Sequence, residues 1–213
     1  IIANILEAEK VVVWKDVPGI MNADPKWRPS AETLPNISYN EAVEMTFSGA
    51  KVIHPKTIKP LHNKKIPMQV RSFIDHDAEG TLISEEPAQG LIKPIYVRKE
   101  GQILVSVLPK DLSFVMGENL SSVFHLFSSN GIKVNLVQAG AVSINVCADY
   151  EEDKIHRIMD ELRRDYSILY NEGVEMLTVR HYDEKSFASI TEGMEVLISQ
   201  STRTSLRIVA RRK

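Results

Sequence analysis

The stretch KDVPGIMNADP, residues 15–25, places charged side chains around a Pro-Gly pair directly after the apolar run VVVW. In an α/β sheet, ligands bind beyond the carboxyl ends of the strands, and a strand over VVVW would deliver this loop to that position. Its lysine and aspartates could then contact the charged groups of a ligand. The alternative is a plain loop, in which Pro18-Gly19 makes a turn and Asp24-Pro25 ends it.

Other residue types that often do chemistry are isolated in this sequence. His54, His62 and His76 lack the spacing of metal ligands, and the triplet DHD at residues 75–77 lies in a polar stretch that is typical of a linker. The single cysteine, Cys147, cannot form an internal disulfide, and its alternating run SINVCAD indicates a small buried hydrophobe in a reducing compartment. The sequence predicts neither a metal site nor a catalytic thiol.

The opening residues predict a helix followed by a strand. Ile1, Ile2, Ile5 and Leu6 have the spacing of an amphipathic helix, yet no initiator Met or helix cap precedes them, so we expect the chain to be a fragment. Residues 11–13 are valines without polar alternation, which is typical of a strand that is covered on both faces.

Two further helices and a strand are predicted before residue 75. A capping box of Ser38 and Glu41 opens a helix that Gly49 should end. The residues expected to face inward are Ala42, Met45 and Phe47. A second helix is predicted from Pro55 to Asn63, and a buried strand over residues 67–73 follows it.

The stretch from residue 75 to residue 90 is acidic and rich in Gly and Pro, which is typical of a linker between domains. Beyond it the pattern is βαββαβ, the order of a ferredoxin-like module. The predicted helical stripes are Leu120, Val123, Phe124 and Phe127, then Ile155, Ile158, Met159 and Leu162. A shorter unit begins at Met176 and lacks one strand, which KPIYVR at residues 93–98 could supply. We therefore predict an α/β fold class.

The composition is that of an ordinary globular chain. Its 213 residues are 43% hydrophobic and 25% charged, which is enough to bury a core. The net charge is -2 and the basic residues are scattered, which argues against a nucleic-acid or membrane partner. No apolar stretch approaches the roughly 20 residues of a membrane span, and no basic leader begins the chain, so we expect a cytoplasmic protein.

Three segments in order resemble aspartokinase: VWKDVPGIMNADPK at residues 13–26, EAVEMTFSGAKVIHP at residues 41–55 and GTLI at residues 80–83. The tandem of small βαββαβ-type units extends the resemblance over essentially the whole chain. It implies the C-terminal part of an amino-acid kinase domain over residues 1–90. A first ACT domain over residues 91–173 and a second, shortened one over residues 174–213 would follow, one commonly interleaved with the other.

The resemblance implies transfer of the γ-phosphoryl group of ATP to the side-chain carboxylate of L-aspartate, with Mg²⁺, on the route to lysine, threonine and methionine. The implied nucleotide contacts are Lys15, Asp16, Met21, Lys26, Lys51 and Val52. Lys15 and Asp16 would lie against the adenosine, while Lys26 and Lys51 would face the phosphates, since phosphoryl transfer depends on positioning and on neutralising negative charge. Relatives often carry Tyr where this chain has Met21.

The family's Gly-rich segment with its catalytic lysine, and its aspartate-binding positions, would lie upstream of Ile1. This chain has no Gly-Gly pair. The catalytic residues are therefore expected outside this sequence, and we predict that the chain alone does not phosphorylate aspartate.

ACT modules commonly bind a small amino acid at an interface between two of them and shift the kinase between states. The implied effector contacts are Ser113, Met116, Asn119, Leu120, Val134, Asn135, Gly140 and Ala141. Lysine-inhibited relatives carry acids where this chain has Asn135 and Gly140-Ala141, which favours a neutral effector such as threonine, or none. The alternative is that these residues serve only turn and strand chemistry.

Two functions from different classes remain open at this point. The chain is either part of an aspartokinase or an independent ACT-type module that binds a small ligand without catalysis. The KDVPG and GAKVIHP loops favour the enzyme, because a pure sensor has no need of them. In both cases we expect a homodimer, since ACT modules usually bury sheet edges or faces against a partner.

Overall fold

The computed structural model describes residues 1–51, 53–85, 93–111, 113–115 and 117–213. The chain divides into two compact units. Unit 1 comprises Ile1–Arg98 and Val179–Asp183, and unit 2 comprises Lys99–Thr178 and Glu184–Lys213. Within the described ranges, no helix is both long and apolar enough to cross a membrane.

Unit 1 is built on a four-stranded mixed sheet. Its elements are α1 (Ile2–Ile5), β1 (Val11–Lys15), β2 (Asn36–Ser38), α2 (Tyr39–Ser48), α3 (Pro55–Asn63), β3 (Met68–Ser72) and β4 (Thr81–Ser84). The strand order is β1-β3-β4-β2. Strands β1 and β3 are parallel, as are β2 and β4, while β3 and β4 are antiparallel.

The core of unit 1 lies on one face of this sheet. Met45 of α2 and Ile58 of α3 pack there with Met68, Val70 and Ile83 from the strands. On β1 the exposure alternates, so that Val12 is 37% and Trp14 47% exposed. The expectation that β1 is covered on both faces is therefore wrong, because the helices of unit 1 pack on only one side of it.

The second helix follows the sequence rules closely. The Ser38 hydroxyl accepts a hydrogen bond from the Glu41 amide at 3.0 Å, and Gly49 ends α2 with a φ of 120°. Ala42 and Met45 are buried as predicted, but Phe47 is 45% exposed. Two residues rotate a helix by about 200°, so Phe47 cannot share the face of Met45.

Strand β4 lies inside the stretch that the sequence predicted to be a linker. Thr81–Ser84 pairs with both β2 and β3, so the linker prediction is wrong over these residues, while residues 86–90 lie outside the described ranges. Gly80 leads into the strand with a φ of +75°, and an added Cβ would meet the Val70 carbonyl oxygen at 2.0 Å. Only glycine fits this close approach.

Unit 2 contains most of a six-stranded sheet with the order β6-β7-β5-β8-β10-β9. The elements that follow β4 are β5 (Ile95–Pro109), α4 (Glu118–Ser129), β6 (Val134–Ala139), β7 (Ile144–Asp149), α5 (Glu152–Leu162), β8 (Tyr166–Arg180), α6 (Glu184–Thr191), β9 (Met194–Ser201) and β10 (Ser205–Arg212). Strand β7 pairs antiparallel with β5 and β6, and β9 pairs antiparallel with β10.

Strands β5 and β8 are each 15 residues long, whereas the apolar patterns predict separate strands over residues 93–98 and 103–108 and over residues 167–170 and 176–182. Gly101 and Gly173 interrupt the apolar pattern with φ values of +65° and +64°, yet both strands continue through them. The two strands are neighbours in the sheet. The domain limits 1–90, 91–173 and 174–213, and the pairing of residues 93–98 with the second ACT unit, stay predictions.

Apolar side chains cover both faces of the sheet in unit 2. One face packs against the helices, and all four predicted core residues of α5 are buried there. In α4, Val123 and Phe127 are buried, but Phe124 is 39% exposed because it points about 100° away from Val123. The other face carries Leu104, Leu136, Cys147, Val174, Met176, Ile198 and Val209.

Cys147 is fully buried on that second face, as its sequence pattern predicted. Burial raises the pKa of the Cys147 thiol to about 12, with the nearby Lys99 charge acting in the opposite direction. The thiol therefore stays protonated at neutral pH and packs as a small apolar side chain.

Candidate functional site

The loop that follows β1 is fixed at its middle by Thr81, at the start of β4. The Thr81 hydroxyl accepts a hydrogen bond from the Ile20 amide at 2.7 Å and donates one to the Leu34 carbonyl at 2.6 Å. A Cβ on Gly19 would lie 2.7 Å from the Thr81 Oγ1 atom, so glycine permits the close approach. No local pattern indicates this role of Thr81, because it lies 61 residues from Ile20 along the chain.

The second half of the loop returns along the chain in a short paired segment. Met21 forms an antiparallel bridge with Thr33, and the Asn22 amide donates to the Glu32 carbonyl at 2.9 Å. Asp24 then closes a turn, since its Oδ1 atom accepts from the Lys26 amide at 2.9 Å. Lys26 is exposed on this turn. The stretch is thus an ordered loop whose charged side chains face outward.

Lys15 and Asp16 stand at the carboxyl end of β1, where the sequence placed them. The Phe73 amide donates to the Lys15 carbonyl at 2.8 Å, which joins the ends of the parallel strands β1 and β3. Lys15 is half-buried, and Asp16 is exposed. This edge of the sheet therefore presents a charged loop with one flank fixed by backbone hydrogen bonds.

Lys51 follows the end of α2 and is exposed. The Ala50 amide donates to the Met45 carbonyl at 3.0 Å, and the Thr46 hydroxyl donates to the Ile53 carbonyl at 3.1 Å, so the turn around Lys51 is tied to the helix. Strand β2 runs opposite to β1, and a helix that follows a strand returns along it. This topology directs the end of α2 toward the edge at which β1 ends. Val52 lies outside the described residues.

Part of the predicted effector set comes together at one end of unit 2. The Asn119 side-chain amide donates to the Phe114 carbonyl at 2.9 Å and to the Ser113 hydroxyl at 3.5 Å. Its oxygen accepts from the Tyr166 hydroxyl at 2.6 Å. The Val115 amide donates to the Ala141 carbonyl at 3.1 Å, which brings Gly140-Ala141 to the same end. Leu120 packs against the core, and Met116 lies outside the described residues.

Val134 and Asn135 lie at the opposite end of β6, about 16 Å from Gly140 along the strand. The pairing with β7 shifts register between Val134 and Leu136, and this bulge leaves the Asn135 side chain 4% exposed. The structure therefore divides the predicted effector residues between two places.

Asn135 takes part in a buried polar network. Its amide donates to the Gln102 Oε1 atom at 2.7 Å and to the Asp149 Oδ1 atom at 2.6 Å, and its oxygen accepts from the Lys99 ammonium at 3.0 Å. Lys99 also forms an ion pair with Asp149. Burial acts to raise the pKa of Asp149, but the hydrogen bonds from Lys99, Gln102 and Asn135 together hold it below its usual value.

A second network, which the sequence did not predict, lies at the start of α2. The Arg180 guanidinium contacts both carboxylate oxygens of Glu41, at 2.5 and 3.0 Å. Arg180 also reaches Glu44 at 3.3 Å, and the His181 Nε2 atom lies 2.9 Å from Glu41. Burial acts to raise the pKa of Glu41, but hydrogen bonds and charge from Arg180 and His181 together lower it. No local pattern links residues 139 positions apart.

Residues 1–72 match the Amino acid kinase family. A bifunctional aspartokinase/homoserine dehydrogenase of Buchnera aphidicola is 31% identical over 180 residues, which cover 82% of this chain and 21% of that protein. The crystal structure of E. coli aspartokinase III in complex with aspartate and ADP has a TM-score of 0.80 at 24% identity, covering 98% of this chain and 50% of that one. The same enzyme in complex with lysine and aspartate gives 0.77 at 25% identity, with 97% and 49% covered.

The N-terminal match first shows a segment that is similar to amino acid kinases. Within that class the chain resembles aspartokinases in particular, and both the resemblance and the fold class predicted from the sequence are confirmed. The chain spans about a fifth of the curated relative and half of the solved enzyme.

Proposed function

We propose that the chain is part of an aspartokinase, in which the loops of unit 1 bind ATP with Mg²⁺ for transfer of the γ-phosphoryl group to the side-chain carboxylate of L-aspartate. One observation carries the proposal. The loop after β1 and the turn after α2 are directed to the same edge of the sheet, and both bear lysines. The relative E. coli aspartokinase III has been solved with aspartate and ADP, which supports the assignment.

The residues present fit a nucleoside triphosphate. Lys26 and Lys51 are exposed cations on ordered turns, so they could neutralise phosphate charge without the cost of burying an unpaired ammonium. Lys15 and Asp16 would take the adenosine side of the site. Because phosphoryl transfer needs positioning and charge stabilisation above all, fixed turns with outward-facing lysines suit it.

Mg²⁺ would reach this site with the nucleotide. Among the described residues, no group of three His, Cys, Asp or Glu side chains could hold a metal ion. Mg²⁺ at phosphoryl-transfer sites is commonly held by substrate phosphates and one or two carboxylates, so the phosphates of the nucleotide would provide most of the ligands of the ion. Residues 15–25 of the loop after β1 contain two carboxylates, Asp16 and Asp24.

The experiment is a calorimetric titration of the 213-residue chain with ATP–Mg²⁺. We expect saturable binding that weakens about tenfold in Lys51→Ala, because a charged contact to phosphate contributes about 1.5–3 kcal/mol at most. Lys59→Ala, an exposed lysine on α3, is the matched control and should bind as the unaltered chain does. We expect no turnover of aspartate in a coupled ADP-release assay.

Absence of saturable binding, or equal affinity of Lys51→Ala and the unaltered chain, would contradict the nucleotide assignment. Turnover of aspartate would contradict the proposal that the catalytic residues lie outside this chain. The titration therefore tests nucleotide binding, and the coupled assay separately tests whether the chain alone is catalytically inactive.

The second proposed activity is regulation by a small amino acid at ACT domains over residues 91–173 and 174–213, in a homodimer. The observation that favours it is the meeting of Ser113, Asn119 and Ala141 beside the start of α4, where Gly117 leaves the helix without a side-chain cap. Gly140-Ala141 at this end carries no acid to pair with a lysine ammonium, which favours a neutral effector such as threonine over lysine. Titrating the same chain with lysine, threonine and methionine extends the calorimetric series to this claim.

A further inference from the structure

The short segment Val179–Asp183 has an unusual place in the chain. It belongs to unit 1, while its neighbours Thr178 and Glu184 on either side belong to unit 2. It joins the end of β8 to the start of α6. Two of its residues, Arg180 and His181, contact the first turn of α2 through Glu41. We call Val179–Asp183 the anchor segment.

The anchor segment contacts Glu41 through two bonds from Arg180 and through the ring of His181. Arg180 and Glu41 are each 9% exposed, and the guanidinium meets the carboxylate with two parallel bonds, the geometry that arginine provides and lysine does not. His181 has a φ of 52°, a left-handed conformation that is uncommon for a residue other than glycine. That conformation accompanies the His181 contact with Glu41 at 2.9 Å.

Helix α2 connects these contacts to the proposed nucleotide site. Glu41 and Glu44 lie on its first turns, its last residue Ser48 lies about 10 Å further along the helix axis, and Lys51 follows the turn at Gly49. The last turn is tied to the segment around Lys51 by the hydrogen bonds of Gly49, Ala50 and Thr46. A displacement of the start of α2 would therefore be transmitted to Lys51.

We propose that the anchor segment controls the position of Lys51 through α2, with Arg180 as a positioning residue and Glu41 as its partner. A ligand that shifts the end of β8 would change the contact between Arg180 and Glu41, and would thereby alter the affinity of the proposed site for nucleotide. The coupling is reciprocal, so a nucleotide would also favour the anchored arrangement. This inference rests on the proposed role of Lys51 in binding nucleotide.

Hydrogen exchange of the 213-residue chain, read by mass spectrometry, tests the mechanical part. In Arg180→Ala we expect exchange of the amides of residues 45–51 to accelerate at least tenfold more than exchange of the β3 amides, which report only the destabilisation of unit 1 as a whole. Arg180→Lys keeps the charge but loses the paired bonds, so its exchange rates at residues 45–51 should lie between those of Arg180→Ala and those of the unaltered chain. Arg211→Ala removes an arginine from an exposed ion pair in unit 2 and is the matched control, with unchanged exchange at residues 45–51.

Nucleotide affinity tests the functional part. We expect ATP–Mg²⁺ to bind several-fold more weakly to Arg180→Ala and Arg180→Lys than to Arg211→Ala. The rescue variant combines Glu41→Arg with Arg180→Glu, which restores an ion pair with the two charges exchanged. It should recover part of the protection from hydrogen exchange at residues 45–51.

Unchanged exchange at residues 45–51 in Arg180→Ala would overturn the inference. Equal acceleration across α2, α3 and β3 would overturn it too, because Arg180 would then only stabilise unit 1 as a whole. If the unaltered chain binds no nucleotide, the proposed function fails, while the exchange data still decide whether the anchor segment holds α2. If Arg180→Ala does not fold, the comparison of Arg180→Lys with Arg211→Ala decides.

Discussion

Two ion pairs among the described residues, Glu41–Arg180 in unit 1 and Lys99–Asp149 in unit 2, differ in burial and in what surrounds them. In unit 1, the side chains of Glu41 and Arg180 are each 11% exposed. His181 lies 2.9 Å from Glu41, and Glu44 lies 3.3 Å from Arg180. In unit 2, the side chains of Lys99 and Asp149 are 19% and 34% exposed. There the amides of Gln102 and Asn135 also donate to the carboxylate.

This difference determines how much each network depends on its cation. Without Arg180, the Glu41 carboxylate would be left buried beside a second acid, with the His181 ring still in contact. Without Lys99, Asp149 would keep two neutral donors and some access to water. The energetic weight of an ion pair therefore follows from burial and from the remaining partners, and the presence of the pair alone says little about it.

The largest expected effect comes from breaking the pair in unit 1. Arg180→Ala should lower the free energy of unfolding of unit 1 by about 3–5 kcal/mol, because it leaves a buried carboxylate without its cation. Both tryptophans, Trp14 and Trp27, belong to unit 1, so their fluorescence during urea unfolding reports on this unit.

Replacing both partners provides the control for this variant. Glu41→Met combined with Arg180→Met removes both charges and should recover most of the loss, since apolar replacements of a buried pair are often neutral or stabilising. A double variant as unstable as Arg180→Ala would show that packing of the arginine stem, rather than the stranded charge, causes the effect.

The second prediction concerns the network in unit 2. Asp149→Asn should cost about 1–2 kcal/mol, a smaller loss, because the Lys99 ammonium keeps the Asn135 oxygen at 3.0 Å and lies partly in contact with water. The thiol of Cys147 is the only one in the chain and is fully buried in unit 2, so its labelling at increasing urea concentrations measures opening of this unit.

A surface pair gives the comparison for Asp149→Asn. Asp160 pairs with Arg163 at 2.7 Å, and its side chain is 72% exposed. Asp160→Asn should therefore change the stability of unit 2 by less than about 0.5 kcal/mol. A loss in Asp149→Asn as large as that in Arg180→Ala would refute the idea that the partly exposed Lys99 tolerates the loss of its partner charge.

Local signals predicted much of the fold. The cap at Ser38, the stop at Gly49 and the buried stripe of α5 all follow from patterns within a dozen residues, and the structure has them where the sequence placed them. Each 15-residue strand was predicted as two shorter ones, because the apolar pattern is interrupted around Gly101 and Gly173. Sheet pairing supplies hydrogen bonds that continue through such positions, and no local window contains that information.

The site shows the same limit. The edge position of Lys15 and Asp16 could be predicted, because a loop after a buried-type strand has a fixed place in an α/β sheet. The contacts of Thr81, Asn135 and Arg180 could not, because each depends on partners brought together by tertiary folding. Asn135 depends in addition on a bulge, which turns its side chain toward Gln102 and Asp149.

The smallest expected effect is a difference in acid sensitivity between Glu41→Gln and the unaltered chain. The pKa of Glu41 is lowered in the folded state, although burial opposes the shift. A depressed carboxylate pKa contributes stability that is fully present above the unfolded value of about 4.3 and is lost as pH falls through the folded pKa. Unit 1 should therefore lose stability below about pH 4.3.

In Glu41→Gln this contribution is absent, so the slope of stability against pH in the acid range should decrease by less than one proton's worth. The pKa of Asp149 is lowered as well, so unit 2 should keep its own acid slope in the same variant. Tryptophan fluorescence and Cys147 labelling, read on the same samples in urea between about pH 3 and pH 6, separate the two slopes. Equal slopes for unit 1 with and without Glu41 would mean that burial offsets the hydrogen bonds of Arg180 and His181 completely, and that the pair stabilises the fold through geometry alone.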